Sequence, residues 1–173
     1  MSDILYRKAV LADAKKLSIL YQQVYIQTYG IDGVSDEFAN FITRQFAVER
    51  LEQIISEHPD NTIVAVYKGN LVGVAEIGFS KKCPVNDLLA PELSKLYILE
   101  WFCGKGIGYH LLAEVEKEIL AKGITEMWLW VLESNHRAVS FYEKQHFKWI
   151  GNASFQMEVN KYENKVMVKS LTT

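Results

Sequence analysis

Apolar positions along the chain switch between a strand-like and a helix-like period, and each switch marks an element. Ile4 to Val10 reads as a first strand. Asp13 stands where it can cap a following helix, in which Leu17, Leu20, Tyr21, Val24 and Tyr25 fall at helical spacing. That helix fades near Gly30. Residues 36–57 read as two short helices broken near Gln45-Phe46, and Pro59-Asp60-Asn61 as a loop. Thr62 to Tyr67 and Leu71 to Phe79 flank Lys68-Gly69-Asn70, a hairpin signal. A loop with Pro84 and Pro91 spans residues 81–91, and Leu93 to Leu99 is a strand. Gly106 to Lys122 is a helix stopped by Gly123. Met127 to Leu132 has the composition of a buried strand, and Asn135 to His146 reads as a helix. Trp149 to Val159 and Lys165 to Ser170 close the chain as two strands joined by a polar turn around Asn160 to Asn164.

This order predicts a mixed α/β fold around one sheet, with antiparallel pairing early and a βαβ unit late. No repeat, low-complexity tract or Pro/Gly-rich linker interrupts it, so residues 1–173 are expected to form a single domain.

Composition narrows the picture. With 49% apolar residues the chain can build a layered core. A net charge of −2 argues against a general nucleic-acid partner. No apolar run approaches the roughly 18 residues of a membrane span. Met1-Ser2-Asp3 lacks the basic-then-apolar pattern of an export signal. The two cysteines, Cys83 and Cys103, have no metal-type spacing, and a reducing cytoplasm is the expected location. No metal is expected.

Candidate chemistry concentrates in two segments. Cys103-Gly104-Lys105-Gly106-Ile107-Gly108 lies between an apolar strand and a helical pattern. Glycines at alternate positions let a ligand's oxygens approach the backbone, and the next helix offers unpaired N–H groups and a dipole that favours an anion. Lys105 adds a cation. The alternative is a tight strand-to-helix turn without a ligand. A P-loop would need Ser or Thr after Lys105, where Gly106 stands. A Rossmann fingerprint would open the first βα unit, with an acidic ribose ligand on the next strand. Coenzyme A pyrophosphate fits better than either. In the second segment Ser134 or Asn135 can cap a helix carrying Ala138, Phe141, Tyr142 and Gln145 on one face. Phe141 is read as core; Tyr142 is either core or a functional phenol.

The strand Glu92 to Leu99, the Gly-Lys-Gly-Ile-Gly run, Leu129-Trp130-Val131, Asn135-x-Arg137-Ala138-x-x-Phe141-Tyr142-x-Lys144, Phe147 and Gly151 together resemble the GNAT N-acetyltransferase superfamily. The likeness is dense over residues 90–151. It implies a GNAT-like fold, a mostly antiparallel central sheet flanked by helices, with acetyl-CoA as cosubstrate. It also implies cofactor contacts from Tyr97, Ile98 and Leu99 to the pantetheine arm, and from Cys103, Gly104, Lys105, Gly106, Ile107, Gly108 and Tyr109 to the pyrophosphate. Asn135, Tyr142 and Lys144 fall at further cofactor positions, with Tyr142 facing the thioester sulfur. Two positions depart from the pattern: Cys103 stands where Arg or Gln is usual, and His146 where Gly is usual before Phe147. A left-handed turn is expected at His146, at some cost for a non-glycine residue.

The implied reaction is direct attack of a primary amine on the thioester. Glu92 is the expected base, with Glu76 second, and strand N–H groups near Leu99 are expected to face the oxyanion. Tyr142 is the expected partner of the departing thiolate. On the acceptor side, Tyr21, Tyr25, Tyr29, Phe38, Phe41 and Phe46 with Asp32, Asp36, Glu37 and Glu49 would suit a cation. This part is similar to the spermidine/spermine acetyltransferase branch, which implies a polyamine acceptor. A protein or peptide amine is an alternative acceptor. A different class of function, an acyl-CoA-binding sensor or interaction module without turnover, also fits. Exposed strand edges leave a homodimer open.

Overall fold

The computed structural model describes residues 3–171. The chain forms two compact units, each assembled from two stretches: Met1–Glu76 with Lys95–Val115, and Ile77–Ser94 with Glu116–Thr173.

In the first unit, β1 (Ile4–Lys8) pairs antiparallel with β2 (Thr62–Tyr67), which pairs antiparallel with β3 (Asn70–Lys82) across the expected hairpin. From Thr62 to Val66 every residue of β2 is buried, so this strand reads as an apolar run rather than an alternation. Three helices follow β1: α1 (Ala14–Tyr29), α2 (Asp36–Gln45) and α3 (Val48–Glu57). The expected core face of α1 is the observed one, Leu17, Leu20, Tyr21, Val24 and Tyr25. Each such side chain contributes about 1.5–3 kcal/mol, so tertiary burial rather than local propensity holds the helix. The break before Val48 falls at Phe46-Ala47, as the pattern predicts. Ser35 caps α2 by accepting the Phe38 N–H at 3.2 Å.

The second unit holds the first half of β4 (Leu89–Ile98), with β5 (Glu126–Leu132), β6 (Lys148–Gln156), β7 (Lys161–Ser170) and α5 (His136–Lys144). Helix α4 (Ile107–Ala121) starts in the first unit and ends in the second. Strands β4 and β5 are parallel, Glu92 opposite Trp128, which completes the late βαβ unit. Strand β7 then pairs antiparallel with both β5 and β6, and the full order is β1-β2-β3-β4-β5-β7-β6. This mostly antiparallel seven-stranded sheet with helices is the expected fold class. Trp128 is buried among Cys83, Ala90 and Val166. Its indole N–H donates to the Ala90 carbonyl at 3.1 Å and the Lys81 carbonyl at 3.3 Å, which satisfies the one polar atom of that ring.

Several boundaries differ from expectation, the starts of β4 and β7 among them. β4 starts at Leu89, so Pro91 lies inside a strand rather than in a loop; burial of Ala90, Pro91 and Leu93 outweighs the missing N–H. β7 starts at Lys161, because a polar hairpin pairs through its side chains: Ser154 Oγ donates to Glu163 Oε1 at 2.6 Å. His146 does adopt the left-handed conformation, φ 67°, and there closes α5: its N–H donates to the Glu143 carbonyl, and the Phe147 N–H to that of Tyr142.

Asp13 does more than start α1. Its buried carboxylate accepts from both terminal nitrogens of Arg7 (2.6 and 3.1 Å) and from the Val10 N–H (3.0 Å), and pairs with Lys16 at 3.1 Å. Burial pushes this carboxyl upward, but the hydrogen bonds from Arg7, Val10 and Lys16 outweigh it and bring the pKa down to about 2. The contribution to stability is therefore present above the ordinary carboxyl range and fades as pH falls toward 2. Asp13→Asn should destabilise the fold by about 1–2 kcal/mol at pH 7, with the difference from wild type shrinking between pH 4 and pH 2. Urea titrations across that range check it; a pH-independent difference would refute the ionic account.

Candidate active site

The glycine segment begins after a short 3-10 turn, Glu100–Phe102, at the end of β4. Cys103 N–H donates to the Glu100 carbonyl at 3.0 Å, which turns the chain. Gly104 and Gly106 then take left-handed backbone, φ 71° and 80°. A Cβ on Gly104 would meet nothing within 4 Å, and one on Gly106 only His110 Cδ2 at 4.0 Å. Glycine is needed here for the conformation, and the open side of the turn is left to a ligand. Helix α4 follows at once. Its first intrahelical bond runs from the His110 N–H to the Gly106 carbonyl, so the N–H groups before it have no partner within the helix. Ile107, 2% exposed, anchors this helix end in the core. Bare backbone, helix-end N–H groups and a neighbouring Lys105 fit a diphosphate.

Side chains around the turn have defined roles. Lys105 Nζ donates to the Trp101 carbonyl at 2.6 Å and lies 5.1 Å from the centre of the Phe102 ring. The Cys103 thiol lies 3.8 and 3.7 Å from the Ile98 and Leu99 carbonyls. Tyr109, on the first turn of α4, is exposed and meets His110 edge-on. Leu99 corrects one expectation: its N–H donates to the Val72 carbonyl at 3.0 Å, so it is committed to the sheet and is not an oxyanion donor.

Glu76 is not a solvated carboxylate. It accepts from Lys95 Nζ at 2.6 Å and from the Tyr21 hydroxyl at 2.9 Å. Lys95 also lies 5.5 Å from the Tyr21 ring centre, and Tyr97 meets the same ring edge-on. Burial raises the Glu76 pKa, but the charge and hydrogen bond of Lys95, the Tyr21 hydroxyl and the charge of Arg50 overcome it, leaving a net lowering. Burial, then the adjacent carboxylate and Tyr97, push the Tyr21 phenol well above its usual range. Glu76 is therefore an ionised, weakly basic group. Lys95 and Tyr21 were missed as partners, because strand register alone brings positions 76 and 95 together.

In the second unit, Glu92 is half-buried on β4. Asn135 is the N-cap of α5: its side-chain oxygen accepts the Ala138 N–H at 3.1 Å. Tyr142 is 8% exposed, with its ring against Phe141 and Phe147 at 5.3 and 5.6 Å. Lys144 lies exposed in the last turn.

The expected aromatic lining divides. Tyr21, Tyr25, Phe38 and Phe46 are buried and pack on one another, so they are core and not a cation cage; Tyr29 and Phe41 are half-buried. Asp32, Asp36 and Glu49 are exposed. Among the described residues no three His, Cys, Asp or Glu side chains gather to hold a metal, and no helix is long and apolar enough to cross a membrane.

Lys95→Met would strand the Glu76 carboxylate and should destabilise the fold by about 2–3 kcal/mol at neutral pH. Adding Glu76→Gln should recover much of that loss. Chemical denaturation of the two variants and wild type checks it; equal losses in the single and double variants would show that the pair is not coupled.

Comparison with known proteins identifies the family. Residues 29–147 match the model of the acetyltransferase (GNAT) family. The chain is 28% identical to an uncharacterized N-acetyltransferase of Mycobacterium tuberculosis, over 79% of this chain and 83% of that protein. It is 30% identical to the spermidine N(1)-acetyltransferase of Thermoplasma acidophilum, over 91% of this chain and 97% of that protein. The crystal structure of the PaiA N-acetyltransferase of T. acidophilum in complex with coenzyme A superposes with a TM-score of 0.75 at 28% identity, covering 98% of this chain and 99% of that one. The chain belongs to the acetyltransferase (GNAT) family.

Proposed function

We propose that this acetyl-CoA-dependent N-acetyltransferase acts on a polyamine, and that the whole chain serves as one catalytic domain. The observation that carries the cofactor side is the turn at Gly104 and Gly106, where left-handed backbone runs directly into the α4 N-terminus. Main-chain N–H groups of this turn hold the diphosphate, and Lys105 adds charge. The end of β4, Tyr97 to Leu99, runs beside the pantetheine arm.

The acceptor nitrogen attacks the thioester carbonyl: the C–N bond forms, the C–S bond breaks, the amine loses a proton and the thiolate gains one. An alkylamine with pKa about 10.4 is neutral only about once in 2,500 molecules at pH 7, which costs about 4.6 kcal/mol. Glu92 is the proposed base, acting directly or through water. The lowered basicity of Glu76, held by Lys95 and Tyr21, supports Glu92 over it. Tyr142 hydrogen-bonds the leaving thiolate. Full proton transfer from a phenol near pKa 10 to a thiolate near 8.5 is uphill by about 2 kcal/mol, so the proton is finally supplied by solvent.

The polyamine assignment is supported by the likeness to the Thermoplasma spermidine acetyltransferase, which extends over nearly the whole of both chains. The exposed carboxylates Asp32 and Asp36 add attraction for a polycation. The direct test is thiol release from acetyl-CoA with a panel of amines. Spermidine and spermine should give rates well above hydrolysis and above peptide amines or monoamines. A preference for a peptide amine would replace the acceptor, and ligand-dependent thermal stabilisation without release from any amine would favour a sensor. Tyr142→Phe should lower turnover at least tenfold with little change in acetyl-CoA affinity; wild-type turnover would remove Tyr142 from the reaction.

A further inference from the structure

Beside the glycine turn the first unit carries a chain of rings and ammonium groups, of which the diphosphate reading uses only Lys105. Lys68 Nζ lies 5.2 Å from the centre of the Tyr67 ring. Tyr67 meets Phe102 at 5.7 Å, and Phe102 in turn lies 5.1 Å from Lys105 Nζ. Both rings are half-exposed, and the neighbouring Trp101 is 88% exposed. Among the described residues neither Lys68 nor Lys105 is paired with a carboxylate. Lys68 also holds left-handed backbone, φ 48°, at the tip of the β2–β3 hairpin, where asparagine or glycine would sit with less strain.

Two cations without counterions, each seated on an aromatic ring, form a surface for a flat base that carries a phosphate. We infer that Lys68, with the Tyr67–Phe102 rings, recognises the 3′-phosphoadenosine end of the cosubstrate and makes the enzyme select CoA thioesters over those of 3′-dephospho-CoA. This rests on the acetyl-CoA reading above. The main-chain donors of the turn and Lys105 serve the diphosphate, so the ribose 3′-phosphate is the remaining dianion, and Lys68 is the ammonium left to neutralise it. The rings supply a stacking face for the purine.

Calorimetric titration of the full chain at low ionic strength with CoA and with 3′-dephospho-CoA tests this. Wild type should bind CoA about five- to tenfold more tightly, and the preference should weaken with salt. Lys68→Asn removes the charge and keeps a residue that favours the turn; the ratio of the two dissociation constants should then approach one. Thermal melting confirms that the variant is folded. An equal affinity of wild type for the two nucleotides overturns the inference and leaves the acetyl-CoA reading standing. An undiminished preference in folded Lys68→Asn overturns the role of the hairpin. Failure to bind either nucleotide overturns both.

Discussion

Everything proposed for this chain depends on one constraint: a turn in which two residues must hold left-handed backbone immediately before a helix begins. Gly104 and Gly106 meet it without the 1–2 kcal/mol that another residue would lose at each position. The result is a row of main-chain donors with no side chain in front of them and the positive end of α4 behind them. Such donors need no reorganisation when an anion arrives, because the buried anchor at Ile107 has already fixed their direction. In the proposed site the cofactor end is thus specified by backbone geometry and the chemical end by side chains.

That division explains what the sequence could and could not reveal. The α1 core face, the break near Phe46 and the Lys68-Gly69 hairpin follow from spacing or from the conformational needs of single residues, while the left-handed turn at His146 follows from the family resemblance. They are local, and local patterns carry them. Pro91 misled because its missing N–H argues against a strand, while burial of Ala90 and Leu93 argues more strongly for one. The final hairpin was placed too late because residues 160–164 are polar, yet their side chains pair across the strands. Insertion of β7 between β5 and β6 has no signature in periodicity at all.

The polar network around Glu76 was the least legible part, and for the same reason. Spacing puts Tyr21 on the α1 core face while the acceptor-side reading also claims it; a core phenol needs a partner, and nothing near position 21 in the chain offers one. The partner comes from β3 and the counter-ion from β4, joined only by strand pairing. Once assembled, the three groups fix one another: the carboxylate stays ionised, the phenol stays neutral, and the ammonium is held over the ring. A base must be able to accept a proton, and this environment opposes that. The same physics that makes Glu76 a good structural anion makes it a poor proton acceptor.

Cys103 fits the same logic. In the family pattern a larger polar or cationic side chain stands at this position, and its loss would matter if a side chain gripped the diphosphate. Here the thiol points back at the carbonyls of Ile98 and Leu99, away from any role as a cation, while the backbone of Cys103 still makes the bond to Glu100 that begins the turn. The positive charge has a substitute two residues on, at Lys105, whose ammonium is already placed by the Trp101 carbonyl and the Phe102 ring. A cation supplied from position 105 rather than 103 approaches an anion from a different side of the turn. Next to Lys105 the surface on that side holds the Phe102 and Tyr67 rings and, on the hairpin, Lys68.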